Sequence, residues 1–122
     1  MTAWEIIDAV DREVYNSNTL EQKLEWLTQL ESQIYWEILM THEPEPEYPF
    51  VPLTVDSYRE TELFLKGDLQ WLYKWYLAAM IHLHNDEIEK YNNMMAVYLN
   101  MYEMFYNCYN RTHLPKSQNW KF

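Results

Sequence analysis

Residues 68–111 have the sequence DLQWLYKWYLAAMIHLHNDEIEKYNNMMAVYLNMYEMFYNCYNR, which contains neither glycine nor proline and therefore favours helix throughout. One unbroken helix of this length would extend about 65 Å at about 1.5 Å per residue, which is too long for a small domain. Asn85 and Asp86 offer a break, because both are good N-caps and Asp86 with Glu89 forms a capping-box pair. The stretch predicts two helices, at about 69–84 and 86–111.

Both of these helices carry an apolar stripe. In the first helix the apolar positions that recur at helical spacing are Leu69, Leu72, Trp75 or Tyr76, Ala79 and Leu83. In the second helix they are Tyr91, Met94 or Met95, Tyr98, Met101 with Tyr102, Phe105 and Tyr109. Residues three and four apart share one face of a helix, so we expect both stripes to pack in the core.

Two further helices are predicted near the N-terminus, at about 3–14 and 19–41. Thr2 with Glu5 and Thr19 with Gln22 have the spacing of capping boxes. The inner face of the first helix is expected to contain Trp4, Ile6, Ile7 and Val10. That of the second is expected to contain Leu20, Leu24, Leu27, Leu30 or Glu31, Ile34 and Ile38, with Glu21, Glu25 and Gln29 facing away. The sequence therefore predicts an all-α fold, a small bundle of about four helices.

A long proline-rich connection separates the two pairs of helices. Four prolines exclude a helix over about 42–53, namely Pro44, Pro46, Pro49 and Pro52. Residues 53–67 are expected to form a short strand or an irregular loop, and Asp68 is expected to cap the third helix. The chain of 122 residues is large enough for one domain. We divide it into a helical domain, residues 1–110, and a C-terminal arm, residues 111–122.

The charge of the chain is acidic and uneven. Nineteen acidic and nine basic residues give a net charge of −10, of which residues 1–62 carry −11 and residues 111–122 carry +3. This sign disfavours nucleic acid or an anionic membrane as a direct ligand. The single cysteine, Cys108, excludes an intramolecular disulfide. We expect no signal peptide and no membrane span, because the N-terminal stretch is acidic and the longest apolar run covers only residues 76–81.

Two groups of residues are candidates for an interface. Aromatic and methionine side chains outside the predicted inner faces form the first group: Trp71, Tyr73, Met104 and Tyr106. Such side chains are favoured where proteins meet. The second group belongs to the arm, where bases alternate with aromatic residues: Arg111, Lys116, Trp120, Lys121 and Phe122. The arm is either a frayed terminus or a segment that binds an acidic neighbour, such as the next copy of the chain.

The sequence offers little for catalysis. His82 and His84 are two residues apart and point about 200° apart on a helix, so they cannot bind one metal ion. His84 shares a face only with Glu87 or Ile88, which gives at most one pair of ligands. There is no glycine-rich phosphate loop and no nucleophile motif. We expect no enzyme activity, no cofactor and no metal.

Three stretches of the chain resemble one known family. They are TAWEIIDAVDREV at residues 2–14, WLTQLESQIYWEI at 26–38, and YLAAMIHLHNDEIEKYNNMMAVYLNMYEMFYNCYNRTHLP at 76–115. The family is that of the small all-helical head-tail connector, or portal adaptor, proteins of tailed phages and prophages. The positions that match its habitual pattern most specifically are Tyr91, Asn92, Asn93, Met95, Ala96, Tyr109, Asn110, Arg111, Thr112 and Pro115. The chain departs from the pattern at residues 82–86 and in the length of the connection at 42–53.

This resemblance implies a structural role in the virion neck. It implies a homo-oligomeric ring, expected to be dodecameric, that binds the phage portal protein on one side and a tail or stopper protein on the other. DNA would pass through the ring without specific binding. The subunit would assemble in the cytoplasm of the bacterial host and can be monomeric until the portal is present.

Two other classes of function are also compatible with the residues. A small acidic helical protein is suited to imitate DNA, as a regulator or inhibitor encoded by a phage. A hydrolytic or metal enzyme is the weaker alternative, and it would need a metal ion bound at His84.

Overall fold

The computed structural model describes residues 2–44, 46 and 49–115. Within these residues there are four α-helices: α1 (Ala3–Glu13), α2 (Leu20–Glu37), α3 (Trp71–His84) and α4 (Ile88–Thr112). Short 3₁₀ turns follow α2 at Leu39–Thr41 and precede α3 at Gly67–Gln70. The predicted all-α bundle is confirmed.

The two N-terminal helices begin where their caps predict. The Thr2 side chain accepts a hydrogen bond from the Glu5 backbone N–H, and the Glu5 carboxylate accepts one from the Thr2 N–H, so the capping box is complete. The Thr19 hydroxyl accepts from the Gln22 N–H at 3.2 Å. The second helix ends earlier than predicted, because the chain tightens into the 3₁₀ turn after Ile38.

The break between α3 and α4 occurs at residues 85–87, as predicted, but its caps differ from the expected ones. Asp86 has a φ of 59°, in the left-handed region that Asp and Asn adopt more readily than most residues. An N-cap residue needs an extended backbone, so Asp86 cannot cap α4, and Glu87 occupies the cap position without a side-chain bond. The cap predicted for Asp68 is also wrong, since Asp68 lies within the 3₁₀ turn and Gln70 precedes α3.

The core lies between α1, α2 and α3, with α4 packed against α3. The apolar stripe predicted for α2 is buried from Leu24 to Ile38. Two predicted inner positions are wrong: Trp4 is 42% exposed and Leu83 is 38% exposed. Both lie near the ends of their helices, where Ala3 and Ile81 are buried instead.

The segment at residues 53–66 forms a loop that covers one side of the core. Leu53, Tyr58, Leu63 and Leu65 are buried in it. Its strand-like pairing is an isolated antiparallel bridge between Glu62 and Thr2. Of the two predicted forms, the irregular loop is therefore the one observed.

A short antiparallel pair joins the end of α4 to the start of the proline-rich connection, and the sequence did not predict it. Strand β1 (His42–Glu43) pairs with β2 (Leu114–Pro115), with His42 opposite Pro115. None of the helices in the described residues combines the length and apolar character that crossing a membrane requires.

Candidate interaction surface

Helix α4 lies on the outside of the bundle and leaves most of its surface uncovered. It has 25 residues, and only Tyr98 and Phe105 among them are buried. At about 1.5 Å per residue it is about 37 Å long, against about 21 Å for α3, so its C-terminal part extends beyond its main neighbour. Tyr102 from this part reaches the Glu37 carboxylate of α2 at 3.3 Å.

Exposed apolar side chains flank the buried stripe of α4 on both sides. Val97 and Met104 are seven residues apart and lie on one line, which we name the first shoulder. Ile88, Leu99 and Tyr106 lie on another line, the second shoulder, at spacings of eleven and seven residues. Val97 and Leu99 are two residues apart, so the shoulders are separated by about 200° around the helix. The helix therefore presents two distinct apolar edges, with Met104 the most exposed at 66%.

Three of the four body residues predicted for the interface are exposed. Met104 and Tyr106 lie on the first and second shoulders, and Trp71 is exposed at the start of α3. The Trp71 ring is held by Lys74, whose Nζ lies 5.4 Å from the ring centroid and 2.7 Å from the Glu13 carboxylate. Lys74 therefore links Trp71 to Glu13 of α1, while Trp71 stays 39% exposed.

The fourth of these residues, Tyr73, is wrongly predicted, because it is completely buried. Its hydroxyl donates a short hydrogen bond to Glu31 and accepts one from the Leu65 N–H at 3.0 Å. The second oxygen of Glu31 accepts from the Phe64 N–H at 3.0 Å. Burial raises the pKa of Glu31 to about 7, although both bonds oppose the shift. Tyr73 therefore anchors the loop at residues 63–65 to α2.

The first part of the arm is tied to the body. Arg111 is exposed in the last turn of α4, and the His113 ring stacks on the Tyr109 ring with the centroids 3.8 Å apart. His42 is buried at the same end, where Nδ1 donates to the Ile38 carbonyl at 2.7 Å and Nε2 contacts the side-chain Oδ1 of Asn110. Residues 111–115 are thus ordered by β1 and α4. Four predicted interface residues lie outside the described part of the chain: Lys116, Trp120, Lys121 and Phe122.

A groove of about 580 Å³ runs between α2 and residues 50–55. We name it the α2 groove. Leu24 and Leu53 are buried along it, Phe50 and Val55 contribute apolar surface, and the exposed Glu21 and Glu25 are the charged residues of its lining. Thr28 fixes its width by accepting a hydrogen bond from the Leu53 N–H at 3.1 Å. The groove can therefore accept a segment that is both apolar and basic.

The histidines are arranged differently from the predicted pair. Glu87 binds His82 at 3.1 Å and Lys90 at 3.0 Å, and these two bonds lower its pKa to about 2. His84 is the last residue of α3, and its ring lies 6.0 Å from the ring of Trp26. Among the described residues there is no group of three or more side chains of His, Cys, Asp and Glu that could hold a metal ion.

The sequence predictions missed two polar contacts that join buried residues to partners far away in the chain. Glu31 joins Tyr73 across 42 residues, and His42 joins Asn110 across 68. The one sequence signal for the first was the position of Glu31 among the inner leucines of α2, where a carboxylate needs a buried partner. Comparison of the chain with protein-family models, curated proteins and solved structures gave no match.

Proposed function

We propose that this protein is a structural subunit of a homo-oligomeric ring, the head-tail connector of a tailed phage. The observation that carries the proposal is the pair of apolar shoulders on α4, which lie on opposite sides of an external helix. A closed ring needs two different surfaces on each subunit that fit each other. In this proposal the first shoulder of one subunit contacts the second shoulder of the next.

The distribution of charge supports a conduit for DNA. Residues 1–62 carry a net charge of −11, and exposed carboxylates of α1 and α2 contribute to it, among them Asp11 and Glu37. An acidic channel wall repels phosphates and lets DNA slide without binding. We assign these helices to the channel wall, and the basic arm to a contact with a neighbouring subunit or with the portal. The ring would sit in the virion neck, between the portal and a tail or stopper protein.

The contact between shoulders is tested with two charged double variants. V97K/M104K changes the first shoulder and L99K/Y106K changes the second. Each is expected to abolish assembly, because a lysine at an apolar contact leaves a charge without solvent. The matched control is N100K/N107K, which adds the same charge to exposed positions between the shoulders. Mass is measured by light scattering with and without a phage portal protein.

A mixture of the two shoulder variants gives the sharper result. V97K/M104K keeps the second shoulder, and L99K/Y106K keeps the first. One contact between unchanged shoulders can therefore form, and the mixture should form dimers and nothing larger. Rings formed by either double variant would overturn the proposal. Failure of the wild-type chain to assemble in the presence of the portal would overturn it as well.

A second candidate function is that of a small DNA mimic, and the acidic surface of α1 and α2 is the observation that favours it. The same mass measurement separates the two functions. A mimic would stay monomeric with the portal present, and it would bind a DNA-handling enzyme in competition with duplex DNA.

A further inference from the structure

The α2 groove has the shape and charge of a receptor for a short basic and aromatic segment. Its floor is apolar, from Leu24, Phe50 and Leu53, and Glu21 and Glu25 lie on its α2 side. There is no lysine or arginine among the described residues that line it. An apolar floor beside carboxylates is suited to bind aromatic rings and ammonium groups together.

Residues 116–122 of this chain have the matching composition. Their sequence, KSQNWKF, contains two lysines, two aromatic residues and no acid. We propose that residues 116–122 of one subunit bind in the α2 groove of a second copy of the chain. Trp120 and Phe122 would lie on the apolar floor, and Lys116 and Lys121 would meet Glu21 and Glu25. This inference rests on the proposed self-association and specifies one contact within it.

The length of the segment favours a second copy over the same chain. The segment starts next to His42, because Pro115 pairs with that residue. Glu21 is 21 residues before His42, mostly along α2, which corresponds to about 30 Å at about 1.5 Å per residue. From Pro115 to Lys121 a fully extended backbone spans about 20 Å. The backbone of the segment would therefore end about 10 Å short of Glu21 in its own chain, whereas the groove of another subunit imposes no such limit.

Binding is measured with a fluorescently labelled synthetic peptide of residues 112–122 added to the full-length chain. We expect saturable binding that the variant E21K/E25K weakens about tenfold or more, because two ion pairs become repulsive contacts. The matched control is E60K/E103K, which makes the same change of charge at exposed positions outside the groove and should leave the affinity unchanged. Full-length chain carrying K116E/K121E should associate with E21K/E25K and restore the contact.

A cysteine pair identifies which chain supplies the segment. Both variants are made in a C108S background, because the native thiol of Cys108 is free and could also be oxidised. Q29C places a thiol on the exposed side of the groove, and N119C places one in the segment. Mixing Q29C with N119C under mild oxidation should give a disulfide-linked heterodimer. Mixing E21K/E25K/Q29C with N119C should not. If the disulfide forms only within a chain that carries both cysteines, the segment binds its own groove and the assignment to a second copy is wrong.

The outcomes for the groove and for the ring are distinguishable. No peptide binding, or equal binding to E21K/E25K, overturns the groove even where rings form. Peptide binding by a chain that never assembles with the portal overturns the ring and leaves the contact between groove and segment. Binding of the peptide equally well to E60K/E103K and more weakly to E21K/E25K is the result that supports the inference.

Discussion

At the scale of single residues, the buried carboxylate of Glu31 is the most consequential feature. It lies in the core at 5% exposure and is held by the Tyr73 hydroxyl and the Phe64 N–H. A charge in this position is poorly solvated, so burial raises its pKa from 4.5 to about 7. Glu31 thereby couples the stability of the fold to pH while it fastens the loop at residues 63–65.

The sign of this coupling follows from the two pKa values. Below about pH 4.5 the carboxyl is protonated in both the folded and the unfolded chain, and its contribution is constant. Between 4.5 and about 7 the unfolded chain releases the proton and the folded chain keeps it, so the free energy of unfolding falls as pH rises. The full loss, of the order of 3 kcal/mol, is present above about pH 7.

The variant E31Q should remove this part of the pH dependence. We expect the free energy of unfolding of E31Q to be nearly flat between pH 4.5 and 7 in urea titrations, where the wild-type value declines. The control is E25Q on the exposed face of α2, which should keep the wild-type slope. An unchanged slope in E31Q would mean that Glu31 is not the group responsible.

At the scale of elements, the C-terminal end of α4 is held by a contact that spans most of the chain. His42, which is 2% exposed, donates from Nδ1 to the Ile38 carbonyl, and its Nε2 contacts the side-chain Oδ1 of Asn110. The same end of the helix pairs through β2 with β1. The His42–Asn110 contact and the strand pair together fix the position at which the arm leaves the body.

The variant N110A tests the contact. Leaving a buried imidazole nitrogen without its partner should lower the free energy of unfolding by about 1–3 kcal/mol in urea denaturation. The control N107A makes the same substitution one turn earlier, at an exposed position, and should be neutral or slightly stabilising because alanine favours helix. Equal stability of the two variants would show that Asn110 contributes no net hydrogen bond.

The elements also show how far the sequence predicts the fold. Both N-terminal caps and the helix break at residues 85–87 were predicted, because capping and the absence of glycine and proline are local properties. Tyr73 was placed outside the core because its spacing does not match the leucine stripe of α3. Its burial depends on the carboxylate of Glu31, 42 residues away, and no local pattern predicts such a partner.

At the scale of the whole molecule, the net charge of −10 opposes compaction. Salt screens such repulsion, with a Debye length of about 10 Å at about 0.1 M. The melting temperature of the dilute monomer should therefore rise as sodium chloride is increased from about 0.01 M to about 0.1 M. Circular dichroism at 222 nm, a wavelength that reports helix, follows this transition directly.

The variant E60K/E103K provides the comparison for the salt effect. Each exchange adds two positive charges, so the variant carries a net charge of −6 instead of −10. Its melting temperature should rise less with salt than that of the wild type. A melting temperature that falls with salt in both proteins would mean that ion pairs such as Lys74 with Glu13 outweigh the general repulsion.

The sequence by itself determined the four helices, the caps of α1 and α2, the stripe of α4 and the acidic body with its basic arm. These features depend on spacing, capping and composition, which act over a few residues or over the whole chain. Only the tertiary structure decided that Tyr73 is core, that α4 exposes two apolar edges, and that β1 and His42 hold the start of the arm. Burial and long-range hydrogen bonds depend on which elements meet in space, and helical periodicity carries no information about that choice.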